Sequence, residues 1–262
     1  MTNTSEFYSR QTIASWDEAA GRHHKINNDL SDLVIDNNFN NLNSDFNSLI
    51  DSIDLRNKSV VQLCCNNAID LLSLKKKGAG RCVGIDGSQS FIDQAKALAS
   101  SAHCSDMEFV CSNIYDVNKI KLEKFDIVLL TVGVIYWMPD LPRFMQICAD
   151  FLNEGGLLLM EEIHPILNMY DEGSPSYLAS SYFDTAPYED NSGLDYFTNK
   201  KYISKPNYWF SHTLSDLFMA ALNAGLILRS FKELDYNVGN YCEDLASKTE
   251  NPPMAMNVLW QI

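Results

Sequence analysis

The chain has 262 residues, 46% of them hydrophobic, enough for a substantial core and for one large domain or a domain with a small appendage. Thirty-four acidic residues against 20 basic ones leave a formal net charge of −14. That balance argues against nucleic acid and against an anionic membrane surface, both of which recruit cations, and leaves a small molecule or a protein as the expected partner.

Seven cysteines, Cys64, Cys65, Cys82, Cys104, Cys111, Cys148 and Cys242, are an odd set lying mostly in apolar runs. Free thiols in a reducing cytoplasm suit them better than disulfides. No Cys/His group has zinc spacing, so no metal site is expected. The opening "MTNTSEFYSR" lacks the apolar stretch of a signal peptide, and no apolar run approaches ~20 residues. A cytoplasmic location and no membrane span are the expectation.

Residues 5–30 read as one helix or two, with Phe7, Tyr8, Ile13 and Trp16 on the apolar side. Residues 31–48 are rich in Asn and Asp, but recurring Leu, Val and Phe favour short helices over disorder. Residues 1–50 are thus expected to form a helical cap, and 51–262 the main domain. From residue 59 strand and helix alternate. "SVVQLCC" is a buried strand, and "NAIDLLSLKKKGAG" a helix ended by Gly78 and Gly80. "RCVGID" is a second strand, followed by a helix over "SQSFIDQAKALASSA" with Ser88 as N-cap. "MEFVCSN" and "FDIVLLTVG" are strands three and four. "DLPRFMQICADFLNEGG" reads as a helix closed by Gly155 and Gly156, and "LLLMEEI" as strand five. Residues 165–211 break the rhythm with a dense aromatic set that includes Tyr182, Tyr196, Phe197, Tyr208 and Trp209. A lid or a small antiparallel excursion is expected there. "TLSDLFMAALNAGL" is a late helix, and "ILRSFKELDY" and "MAMNVLWQI" form an antiparallel pair at one sheet edge. The fold class is α/β: a doubly wound, mostly parallel, seven-stranded sheet.

Five strand–helix units, a further helix and two closing strands resemble the class I S-adenosylmethionine-dependent methyltransferases. "VVQLCCNNA" stands where that family carries a strand and its glycine-rich loop. "VGIDGSQSFIDQAKA" looks like the second strand with its terminal acid, "FDIVLLTVGVIYWMPDL" like the fourth strand with its active-site loop, and "FLNEGGLLLMEE" like the fifth strand. The resemblance covers residues 50–163 and 212–262. It implies S-adenosylmethionine as cofactor, S-adenosylhomocysteine as product and a small-molecule acceptor.

Asp86 lies 20 positions after Asn66, an offset that suits an acid taking hydrogen bonds from ribose hydroxyls. The turn after the first strand, "CCNNA", contains no glycine. S-adenosylmethionine carries no phosphate, so this turn needs a bend and exposed backbone rather than a pyrophosphate cradle. Asn66 and Asn67 can supply the bend, because asparagine tolerates positive φ. By resemblance the cofactor-binding set is Tyr8, Trp16, Leu63, Cys64, Asn66, Asp86, Gly87, Ser88, Asn113, Ile114, Thr131 and Val132. Asn113 is placed to read the adenine amine and Ile114 to pack on its ring. Tyr8 and Trp16 close over it from the N-terminus.

For the transfer step, His164 and His212 are base candidates at the top edge of the sheet, and Tyr136 a contact to methyl donor or substrate. Glu161 and Glu162 compete for the same role, and His23 and His24 lie near the cap. Each of these side chains can equally be a packing or hydrogen-bonding residue. The insert's aromatics suit a flat or cationic acceptor, or a second subunit, so a homodimer is allowed. Three other functions stand beside a small-molecule methyltransferase acting on oxygen, nitrogen or carbon. A nicotinamide-dependent dehydrogenase is disfavoured by the missing G-x-G-x-x-G. A non-catalytic interaction subunit fits the acidity and the altered turn. A protein or peptide methyltransferase fits the attraction of an acidic surface for basic peptides.

Overall fold

Val60–Leu63 (β1) is buried at all four positions, as a strand must be when it has helices on both faces. A computed structural model describes it together with residues 4–26, 29–171, 175–195 and 201–262 of the chain. Cys82–Asp86 (β2) and Phe125–Leu130 (β4) flank it in parallel, Glu108–Cys111 (β3) lies beyond β2, and Leu152–Ile163 (β5) beyond β4. Ala255–Gln261 (β11) runs antiparallel to β5, and Ile227–Leu234 (β10) antiparallel to β11. Among the described residues the main sheet has seven strands in the order β10-β11-β5-β4-β1-β2-β3. The strand order reverses beside β1, which is where such a sheet opens a crevice.

Thr4–Ile26 (α1) is one continuous helix. It is followed by Leu30–Leu33 (α2) and Ser44–Asp51 (α3), so the Asn-rich stretch is helical in short pieces. Val34, Phe46 and Ile50 from this region share one core with Ile69–Lys76 (α4) and Gln89–Ser101 (α5). Leu141–Asp150 (α6) and Leu214–Asn223 (α7) pack on the opposite face, with Phe125, Phe144 and Trp260 inside. Ser88 caps α5 by accepting the Phe91 N–H, and Thr213 caps α7 in a capping box with Asp216.

Gly155 and Gly156 do not close α6, which ends at Asp150. They lie inside β5 instead, in the stretch where its register against β4 shifts between Phe125 and Ile127. Gly155 takes φ 75°, and a glycine signal serves a strand irregularity as readily as a helix stop. The insert forms two small antiparallel pairs, Tyr170–Asp171 (β6) with Tyr177–Leu178 (β7), and Tyr188–Asp190 (β8) with Asn207–Trp209 (β9). Glu243–Ala246 (α8) lies between β10 and β11. Tyr196 and Phe197 lie outside the described residues. No helix among those described is long and apolar enough to cross a membrane, and no group of three or more His, Cys, Asp or Glu there is placed to hold a metal.

Candidate active site

The turn after β1 bends without glycine. Cys64, Asn66 and Ala68 take φ 55°, 51° and 58°, so every second residue is left-handed. The Cys65 N–H continues the ladder to the Ile85 carbonyl at 2.9 Å, and the Ala68 N–H closes on the Cys65 carbonyl at 2.7 Å. Asn66 Oδ1 accepts the Asn67 N–H at 2.7 Å, the local side-chain bond that makes this conformation affordable for asparagine. Asp86, at the end of β2, fastens the turn. Its Oδ2 accepts the Asn66 N–H and its Oδ1 the Ser88 N–H, both at 2.8 Å. Burial pushes this carboxyl up against the opposing effect of the amide donors. Each oxygen keeps acceptor capacity for a further donor.

Ala68 offers no side-chain cap to α4, and a strand residue does the work. Gln62 Oε1 accepts the Leu71 N–H at 3.1 Å while Gln62 Nε2 donates to Thr131 Oγ1 at 3.0 Å. Asp70 occupies the first turn of α4 and accepts from Asn41 Nδ2 at 2.7 Å. A carboxylate complements this positive helix end and repels the phosphate that a dinucleotide would bring there.

Helix α1 lies across the outer margin. Ile13 meets Gly87 so closely that a Cβ there would come within 2.5 Å of its Cγ1. Asp17 Oδ1 accepts Ser88 Oγ at 2.6 Å and the Ser90 N–H at 2.9 Å. Asn113 Nδ2 donates to Ser9 Oγ at 2.8 Å, and its Oδ1 accepts the Tyr115 N–H at 3.0 Å. The other face of α1 holds the insert. Thr12 Oγ1 accepts the Tyr208 N–H at 3.2 Å, and His23 Nε2 donates to the Leu194 carbonyl at 2.7 Å. Tyr8 packs on Tyr208 and Phe210.

At the ends of β4 and β5, Glu162 is fully buried. It accepts N–H groups from Gly133 at 2.5 Å, Ile135 at 3.1 Å and Ile163 at 2.8 Å, holding the turn after β4. Its neighbour Glu161, 3% exposed, takes one bond from Asn43 Nδ2 at 2.9 Å. Burial pushes each of these two carboxyls up to about 7. Gly239, between β10 and β11, presses on Ile163 and Val132 and roofs the turn.

The sequence-derived residues fall into three groups. Asn66, Asp86, Gly87 and Ser88 come together around one carboxylate, with Cys64 in the same turn and Asn113 on the α1 side. Thr131 and Val132 stand at the end of β4. Leu63 and Ile114 are buried in the core, 0% and 6% exposed. The three transfer candidates are already engaged. Tyr136 donates to the Ile163 carbonyl at 2.8 Å, and burial pushes its hydroxyl well above the usual range. His164 Nδ1 accepts the Ile166 N–H at 3.1 Å, with Nε2 3.2 Å from Glu233. His212 Nε2 donates to the Met138 carbonyl at 2.9 Å. Burial lowers both imidazoles. Ser9, Asp17, Gln62 and Asp70 were not singled out by the sequence. Their partners are 104, 71, 69 and 29 positions away, and no local pattern marks them.

This strand order, with its reversal beside β1 and an antiparallel β11 inserted beside β5, defines the class I methyltransferase fold. Residues 60–156 match the sequence model of the methyltransferase domain. The ubiquinone biosynthesis O-methyltransferase of Neisseria meningitidis serogroup C is 25% identical over 111 residues, 42% of this chain and 46% of that protein. The chain thus matches about half the length of that relative. An S-adenosylmethionine-dependent methyltransferase from Mesorhizobium loti superposes with a TM-score of 0.60 at 14% identity, covering 82% of this chain and 96% of the other. Geranyl diphosphate C-methyltransferase from Streptomyces coelicolor A3(2) gives 0.58 at 10% identity, covering 83% and 75%. At these identities the solved structures establish the fold.

Proposed function

We propose that this protein is an S-adenosylmethionine-dependent methyltransferase acting on a small molecule. The observation that carries the reading is the Asp86 carboxylate. It stands at the crevice, tied to the turns after β1 and β2, with acceptor capacity left for ribose hydroxyls. The surrounding residues fit that cofactor better than a dinucleotide. Asp70 at the start of α4 disfavours a pyrophosphate and suits the ammonium of a methionyl group. The left-handed turn at Cys64–Ala68 brings backbone close without glycine, as a phosphate-free ligand permits. Asp86 would hold the ribose, with Gly87 and Ser88 beside it and Thr131 and Val132 along the methionyl side.

The cofactor when bound supplies an activated methyl group, so the protein's task is chiefly alignment and exclusion of water. Glu162 fixes the Gly133–Ile135 turn, and Gly239 covers it. Proton removal is assigned to none of Tyr136, His164 and His212, because the Tyr136 hydroxyl donates to the Ile163 carbonyl, His164 Nδ1 accepts the Ile166 N–H and His212 Nε2 donates to the Met138 carbonyl. The acceptor atom follows from the ligand that fills the site.

Calorimetric titration with S-adenosylhomocysteine, with NADH as control, tests the reading. Micromolar binding of the first alone is expected. Asp86→Asn and Asp86→Ala should each weaken it at least tenfold while the protein stays folded. Binding of NADH, or unchanged affinity in both variants, would overturn the assignment.

A further inference from the structure

Three tryptophans from three separate elements form a wall: Trp16 of α1, Trp137 after β4 and Trp209 of β9. Ring centroids stand 5.3 Å apart from Trp16 to Trp137 and 5.0 Å from Trp137 to Trp209. All three are half-buried. Trp137 Nε1 lies 3.8 Å from where a Cβ on Gly133 would stand, so the wall begins at the turn after β4.

Side chains alternate along a strand. In β9, Tyr208 turns toward Phe7 and Tyr8. Asn207 and Trp209 therefore share the opposite side, the side on which Trp209 meets Trp137. Asn207 is 0% exposed, and neither its Oδ1 nor its Nδ2 has a hydrogen-bond partner. Ser15, on the α1 face that carries Thr12, is also 0% exposed with its hydroxyl unpartnered. Buried amides lacking both bonds are rare and costly, which is a reason to expect that a ligand completes them.

An amide side chain presents a donor and an acceptor side by side. Flat rings next to it select a flat partner. We propose that this wall is the methyl-acceptor subsite, and that it takes a planar, uncharged ring carrying adjacent hydrogen-bond donor and acceptor atoms, read by Asn207. The class includes ring carboxamides, lactams and phenols with a neighbouring carbonyl. The assignment of the wall to the acceptor rests on the methyltransferase reading; the ligand chemistry rests on Asn207 and the three rings.

The test is tryptophan fluorescence and calorimetry on the full chain, with and without saturating S-adenosylhomocysteine. Three probes are used: benzamide, which has both donor and acceptor, acetophenone, which has only the acceptor, and benzylammonium, a cation. Benzamide should bind at least tenfold tighter than the other two. Asn207→Leu, nearly isosteric, should abolish that preference, leave the S-adenosylhomocysteine Kd within twofold and raise the Tm, because an unpartnered buried amide has been removed. Absent benzamide binding, equal binding of the probes, a preference for benzylammonium, or a folded variant that keeps the benzamide preference would overturn the proposal. A fall in Tm for Asn207→Leu would also overturn it, by making the amide structural. If S-adenosylhomocysteine fails to bind the wild type, the cofactor reading falls, while the probe series on the free protein still decides the wall's ligand.

Discussion

Glu161→Gln is expected to make the protein more stable at alkaline pH and to remove a slope from its stability profile. Glu161 is 3% exposed, its Oε2 takes a single bond from Asn43, and its Oε1 takes none. Burial is the main cause that lifts its carboxyl from 4.5 to about 7, with Asp70 and Asp45 adding to it. A raised carboxyl pKa means that the folded state holds the proton more tightly than the unfolded chain. Stability from this group is therefore full below pH 4.5 and lost as pH rises through about 7. The gap corresponds to ~3 kcal/mol, at about 1.4 kcal/mol per pH unit. Glutamine keeps an oxygen for Asn43 and carries no charge. At pH 4.5 the two proteins should match; at pH 8 the variant should be more stable by ~3 kcal/mol, a Tm higher by about 6–12 °C. Guanidinium unfolding at intervals from pH 4.5 to 8.5 measures the difference curve. The buried histidines titrate in both proteins and cancel, while Glu162, whose carboxyl the Glu161 charge helps to raise, adds to the difference in the same direction. A flat difference curve, or a variant less stable at pH 8, would refute the reasoning.

Two further substitutions probe the site's frame. Tyr136→Phe removes the bond to the Ile163 carbonyl and should cost ~1–2 kcal/mol in urea unfolding; an unchanged midpoint would show that the hydroxyl pins nothing. Asn66→Gly should leave stability within ~0.5 kcal/mol of wild type, while Asn66→Ala should lose ~1 kcal/mol, since alanine resists the left-handed backbone and cannot bond the Asn67 N–H. Equal midpoints for the glycine and alanine variants would argue against a left-handed Asn66.

The sheet was legible because its signals are local and strong. Apolar runs such as "FDIVLL" and "VVQL" fix buried parallel strands, and Ser88 and Thr213 mark helix starts through bonds only three residues long. Asp86 was legible because a strand end and an offset from the preceding turn suffice to place it. The rest depended on distance in sequence. Nothing near Asp17 shows that it meets Ser88, and nothing near Gln62 shows that a strand glutamine caps a helix. Gly155 illustrates the reverse: a local signal was present but served two structures equally. The histidines drew attention for their chemistry, yet their engagement by Met138, Ile166 and Glu233 is decided by tertiary neighbours.

Helix α1 is fastened on two sides, to Asn113, Ser88 and Ser90 along one face and to Tyr208 and Leu194 along the other. A strap anchored at both margins cannot open one without loading the second. For a ligand held beneath it, release would require these bonds to break first. Substitutions in Thr4–Ile26 are therefore expected to alter ligand residence times before they alter chemistry.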